Sequence, residues 1–146
     1  MRRIALVCSA AVLAACTPRQ EEPPPPEPPA APTHNLADLA GTWNVVVVVE
    51  PNDTVRSTLV ATADPMAWVL NLPNRPPMTP RVMVDADSVM LDYGPFESVL
   101  RPGVQVSTHQ VARLVGGMLV GTIVAHYQTA GADSVAYGRF EGTRTP

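Results

Sequence analysis

The chain has no lysine; all ten of its basic residues are arginines. They are scattered and form none of the patches or stripes that grip a phosphate backbone, which points away from nucleic acid. Cysteine is almost missing too. Cys8 and Cys16 both fall within the first sixteen residues, so the remainder holds neither a disulfide framework nor a Cys-based metal site. No apolar run reaches the roughly 20 residues that span a bilayer. Catalytic signatures are also wanting. Ser98, Ser107 and Ser134 lie outside any G-x-S-x-G elbow, the strained turn that exposes a hydrolase serine. Gly116-Gly117 precedes a strand pattern and not a helix, so it cradles no phosphate. Asp85 and Asp87 flank Ala86, but a calcium loop needs more oxygen ligands at alternating positions. The expectation is a protein that is not an enzyme and carries no metal or other cofactor.

What is present begins at the N-terminus. Met1-Arg2-Arg3 is basic, and Ile4 to Ala15 is apolar or small apart from Ser9. A basic start, a short apolar core and small residues at a cut site form a secretory signal. Leu13-Ala14-Ala15-Cys16 closes it. That run resembles the lipobox of bacterial lipoproteins: Leu, a small or β-branched residue, a small residue, Cys. The resemblance implies a signal peptide over residues 1–15 and lipidation at Cys16. The thiol would carry diacylglycerol, and the new N-terminus an amide-linked acyl chain such as palmitate. A single acyl chain binds a membrane only marginally, while two or more anchor it stably. Thr17 follows the cysteine where inner-membrane lipoproteins of Gram-negative cells usually have Asp. The resemblance therefore implies a cell-envelope protein, in the outer membrane more than the inner.

Residues 16–35 form the next segment. Thr17 to Thr33 is nearly half proline, carries Glu21, Glu22 and Glu27, and has no large apolar residue. It cannot bury enough surface to offset the entropy of ordering. A disordered tether is expected, tending to polyproline II at about 3.1 Å per residue. Fully extended, it reaches roughly 50 Å.

Residues 36–146 supply one domain. Hydrophobic periodicity is mostly two, as half-buried strands require. Trp43, Val45, Val47 and Val49 share a parity; so do Val55, Leu59 and Ala61, and so do Met66, Trp68, Leu70 and Leu72. Turn chemistry breaks the runs, at Pro51-Asn52-Asp53, Asp85-Ala86-Asp87, Gly94-Pro95 and Gly116-Gly117 among others. Gly-Gly suits a two-residue hairpin turn, because glycine adopts positive φ without strain. That turn pairs Val115 with Met118, Ala112 with Gly121 and His109 with Val124. Gly121 and Gly138 fall inside strands and mark bends or bulges. Asn35 to Ala40 is the one helix candidate, a turn or two capping the barrel entrance. The fold class is all-β: a small antiparallel up-and-down β-barrel of about eight strands.

Gly41-Thr42-Trp43, opening the first strand after a short turn, resembles the start of lipocalins and their calycin relatives. Arg144, near the end of the last strand, is similar to the basic residue that those families lay across the tryptophan. The resemblance implies that Trp43 and Arg144 close the barrel. The chain is shorter than a typical lipocalin and lacks the second and third signature regions, and a barrel of eight strands is narrow enough to be filled by its own side chains.

Two further features carry chemistry. His109 and His126 lie diagonally across the Gly-Gly hairpin on its more polar face, an arrangement open to general-base or metal chemistry and equally to a pair of solvent-facing histidines. The stretch Pro73 to Pro80 contains four prolines. It reads as a rigid connection from which Arg75 and Met78 project. Together these readings predict a membrane-anchored, non-catalytic binding module. Its partner is an envelope protein or a small apolar ligand; the alternatives are a structural envelope component and an enzyme with a barrel-mouth site at His109 and His126. One consequence is directly measurable. Amides of residues 17–33 are expected to exchange fast and the backbone there to be cut readily, while 36–146 stays protected. Strong protection across the stalk would mean that it packs on the domain.

Overall fold

Asn35 opens the first helical turn. Its side chain accepts a hydrogen bond from Ala37 N at 3.1 Å, the usual way an asparagine caps orphan amides, and launches the single turn α1 (Leu36–Leu39). The computed structural model describes residues 35–146; the signal segment, Cys16 and the Pro-rich tether lie outside the described residues. Eight strands follow: β1 (Gly41–Val49), β2 (Asp53–Ala61), β3 (Val69–Asn71), β4 (Arg81–Asp85), β5 (Ser88–Glu97), β6 (Gln105–Val115), β7 (Met118–Tyr127) and β8 (Val135–Arg144). They form one antiparallel sheet in the order β3-β2-β1-β8-β7-β6-β5-β4.

This is an up-and-down meander whose first and last strands pair with each other. The sheet curls into a half-barrel, cut between β3 and β4. The cut has a chemical cause. Prolines at 73, 76, 77 and 80 occupy the connection, and proline has no N–H to continue a ladder. One bridge survives there, Leu70 with Met78, with N···O distances of 2.8 and 2.9 Å. Met78 therefore does not project as the sequence suggested: it is half-buried and packs on the core.

The β6–β7 register is the one the Gly-Gly turn predicts, from Val115–Met118 through Ala112–Gly121 to His109–Val124. Gly116 and Gly117 have φ of 58° and 83°. Gly121 marks no bulge. A Cβ there would collide with the Val111 carbonyl and the Phe140 ring, so the glycine makes room for a core aromatic. The irregularity lies instead in β5, between Tyr93 and Phe96. Gly94-Pro95 thus sits inside a strand, not at a turn. Gly94 is required by close approach: a Cβ would lie 2.8 Å from the Val106 carbonyl oxygen. Met66 leaves the alternation as well. It belongs to a 3₁₀ turn, Pro65–Ala67, and is 80% exposed.

The core is uneven along the barrel. At the α1 end, Leu39, Trp43, Trp68, Val89, Leu91 and Leu119 are fully enclosed. Burying one indole removes about 150–250 Å² from water, worth roughly 4–6 kcal/mol as an upper bound. Both indole N–H groups find carbonyls, Trp43 Nε1 to Leu39 O at 2.9 Å and Trp68 Nε1 to Thr62 O at 2.7 Å.

Trp43 lies opposite Arg144 in the β1–β8 register. The guanidinium carbon sits 4.6 Å from the indole centroid, and Nη2 donates to Asp38 O at 2.7 Å. One side chain thus joins β8, β1 and α1. A cation–π contact contributes about 0.5–2 kcal/mol. Arg144→Ala is expected to lower the melting temperature by several degrees and to alter tryptophan fluorescence. Arg139→Ala, on the opposite face of β8, should change neither. Equal effects of the two in a thermal melt would remove the closure role.

Candidate functional site

The far end of the half-barrel, where β5, β7 and β1 finish, is built differently. Its inward residues are Val47, Val49, Val55, Val106, Ile123 and Ala125, with Ser57 and Thr108. Leu70, Leu72, Phe96 and Tyr127 complete the lining, which leaves a cavity of about 70 Å³. Val99 and Leu100, in the β5–β6 loop, sit at its mouth. Val99 is exposed, Leu100 half-buried.

Several polar contacts hold this mouth in shape. Ser98, 2% exposed, accepts hydrogen bonds at Oγ from Leu100 N (3.1 Å) and Arg101 N (3.0 Å). Glu97 Oε1 accepts from Gly103 N at 3.0 Å. Arg101 lies 3.9 Å from the Tyr127 centroid and donates to Asp133 O at 2.6 Å. Arg75 reaches in from the proline-rich connection. Its Nη1 donates to Glu97 O and its Nη2 to Ser98 O, the latter at 3.1 Å. Arg75 therefore does not project into solvent. It ties the cut side of the sheet to the cavity rim.

Two buried hydroxyls stand out in β5 and β6. Tyr93 and Thr108 are cross-strand partners on β5 and β6. They are 4% and 8% exposed. Neither hydroxyl has a hydrogen-bond partner among the described residues. Such groups usually cost about 1–3 kcal/mol each when left unpaired. Burial also pushes the Tyr93 phenol well above its ordinary range, because the phenolate would lose its hydration.

The histidines lie elsewhere. His109 and His126 are not at the barrel mouth; they share a polar groove on the outer face of the sheet. Arg81, Asp92, Gly94 and Ser107 also line it, and its volume is about 500 Å³. His126 stands opposite Ser107, and His109 opposite Val124. His109 Nδ1 donates to Asp92 Oδ1 at 2.5 Å, since an ionised carboxylate can only accept. The side chains are 42% and 36% exposed, so the pair is worth at most about 1 kcal/mol. It fixes the ring and leaves Nε2 for the groove. Asp92 did not emerge from the sequence, because its pairing with His109 depends on the irregular step in β5. No group of three His, Cys, Asp or Glu side chains among the described residues is placed to hold a metal ion. Cys16 lies outside the described residues.

No protein-family model, curated protein or solved structure matches this chain. The half-barrel layout is consistent with a calycin-like fold.

The Tyr93 phenol yields a prediction with a definite sign. Unfolded, it ionises at about pH 10; folded, it keeps its proton to higher pH. Its contribution is intact below that point and is lost as pH rises through it, because the unfolded chain then releases the proton first. Tyr93→Phe is expected to flatten the alkaline loss of stability and to leave stability at pH 7 unchanged or raised by about 1 kcal/mol. Denaturant melts at pH 7 and above pH 10 measure both. An alkaline loss as steep as in the parent would exclude Tyr93 as its source.

Proposed function

We propose that this chain is an envelope lipoprotein, held by lipid at Cys16, whose half-barrel is a non-catalytic binding module. It takes an apolar group of an envelope protein or small molecule into the cavity beneath Val99 and Leu100. The anchor rests on the lipobox resemblance, and Thr17 favours the outer membrane. The observation that carries the binding reading is the cavity itself. It has no charged side chain in its lining, and its mouth lies opposite the end where the chain enters through α1. The mouth thus lies at the end of the half-barrel opposite Asn35, where the described chain begins.

The volume limits what enters. Binding sites for drug-sized ligands run to about 300–1,000 Å³. At about 70 Å³, this cavity takes a side chain or a short stretch of alkyl chain, not a whole lipid. A catalytic reading rests on the Asp92–His109 geometry in the outer groove, where a carboxylate orients an imidazole as in general-base sites. It lacks a nucleophile within hydrogen-bond reach of His109 among the described residues, and it ranks second.

Cys16→Ser is expected to abolish lipidation and release the protein from membranes, read by fractionation and by mass spectrometry of the N-terminal peptide. An unmodified peptide starting elsewhere than Cys16 in the parent would sink the anchor. The same lipid-free full chain tests the cavity. Pentane is expected to shift the methyl resonances of Ile123 and Ala125 saturably, and to leave those of Val46 and Val48 unmoved.

A further inference from the structure

We propose that the outer face of β1, β8 and β7 packs back to back on the same face of a second copy of this chain. The inference is independent of the cavity at the far end.

Three observations carry it. The first is composition. An antiparallel sheet with one face in water normally alternates apolar and polar residues. β1 does not: Val45 to Val49 is apolar on both faces. Val45, Val47 and Val49 are buried in the core, and Val46 and Val48 point outward, half-buried. Val120 and Val124 of β7 share that outer face, as does Tyr137 of β8, which is 59% exposed. Apolar patches rimmed by polar residues mark interaction sites. The second is shape. Val46, Val48, Arg139 and Glu141 line a shallow depression of about 160 Å³ between β1 and β8, a seat for the valines of a facing sheet.

The third is charge, and it names the occupant. Two neighbouring rows cross the face, Val46–Glu141–Val120 and Val48–Arg139–Thr122. Neither Glu141 nor Arg139 forms an ion pair among the described residues. Consider a two-fold axis lying in the interface, running across the strands midway between the rows. It lays each row on the other row of the second copy. Val46 then meets Val48, Val120 meets Thr122 and Glu141 meets Arg139, each of them twice. Arg56, beside Val46, falls on Thr54, beside Val48, and Arg113, beside Val120, falls on Val111, beside Thr122. No like charges meet. An axis along the strands would instead set Arg139 on Arg139 and Glu141 on Glu141. A two-fold contact has to be self-complementary, and the first axis satisfies this. A lipid surface offers no such match, because hydrocarbon would strip both charges of their hydration with nothing in exchange.

The valines supply the burial, and the two ion pairs set the register, as charges at an interface fix specificity more than affinity. The barrel curves away on either side of the three strands, so the contact is small and the dimer reversible.

The test is sedimentation of the full chain carrying Cys16→Ser. Its mass is expected to rise toward that of a dimer between about 10 µM and about 1 mM. At about 1 µM the chain is then monomeric, and Arg139→Ala stays silent in a thermal melt. Glu141→Arg sets arginine on arginine, and Arg139→Glu sets glutamate on glutamate. Each alone should weaken association at least about tenfold. The double variant, with the two charges exchanged, should restore it, which shows that the single variants fail by repulsion and not by misfolding. A parent that stays monomeric at the top concentration overturns the proposal and leaves the face to a different partner. Association that both single reversals leave unchanged places the contact on another segment and overturns it equally. So does a double variant that remains a monomer.

Discussion

The fold depends on pairing its first strand with its last. Only two residues of β1 and β8 need be considered to see how that is enforced. Trp43 and Arg144 face each other across the ladder. The indole sends its N–H back to Leu39 O, and the guanidinium covers the ring while donating to Asp38 O. Two ladder strands and a helical turn are thereby fixed by two side chains. Gly41 belongs to the same knot: its φ is 145°, and the Arg144 stem would touch any Cβ there at about 3.5 Å. Contacts that join residues a hundred positions apart carry a large loop-closure cost. Concentrating hydrophobic, aromatic and hydrogen-bonding terms at one point is how so short a chain meets it.

The opposite end repeats the device with other residues. Arg101 covers Tyr127 and donates to Asp133 O, in the turn just before β8. Both ends thus use an arginine stacked on an aromatic ring and bonded to the carbonyl of a short turn. Guanidinium suits this better than ammonium, because it is planar, stacks on rings and is weakly hydrated. The two ends differ in what lies inside them. Both tryptophans lie at the α1 end; the far end is lined by valines, leucines, Phe96, Ile123, Tyr127 and small residues such as Ser57 and Ala125. The asymmetry separates an enclosed half that holds the fold from a half with an open mouth.

How much of this the sequence revealed follows from which contacts are local. The β6–β7 register was legible because two adjacent glycines fix it. The strand pattern of β1, β5 and β7 was legible because period two survives wherever one face is buried. The cut between β3 and β4 was not, since it depends on prolines in a connection whose path the sequence does not give. Met66 kept the right parity but sits in a 3₁₀ turn, where parity has no meaning. Asp92 and Arg75 were missed as partners for different reasons. Asp92 meets His109 across β5–β6, where Gly94-Pro95 shifts the register; Arg75 meets Glu97 O and Ser98 O from the β3–β4 connection, whose path the sequence does not give. The lipidation expected at Cys16 falls outside the described residues.

The cavity is cheap for this protein to keep. A sealed void costs about 24 cal/mol per Å³, so a cavity of about 70 Å³ that opens at a mouth costs at most roughly 1–2 kcal/mol. That is a minor term beside the two buried indoles at the other end. It is still enough for larger residues at Ser57 or Ala125 to remove it, were stability the only demand on the site. Arg75, Ser98 and Arg101 fix the rim through hydrogen bonds with backbone atoms. Its extent is therefore set by the rim as much as by the packing beneath it.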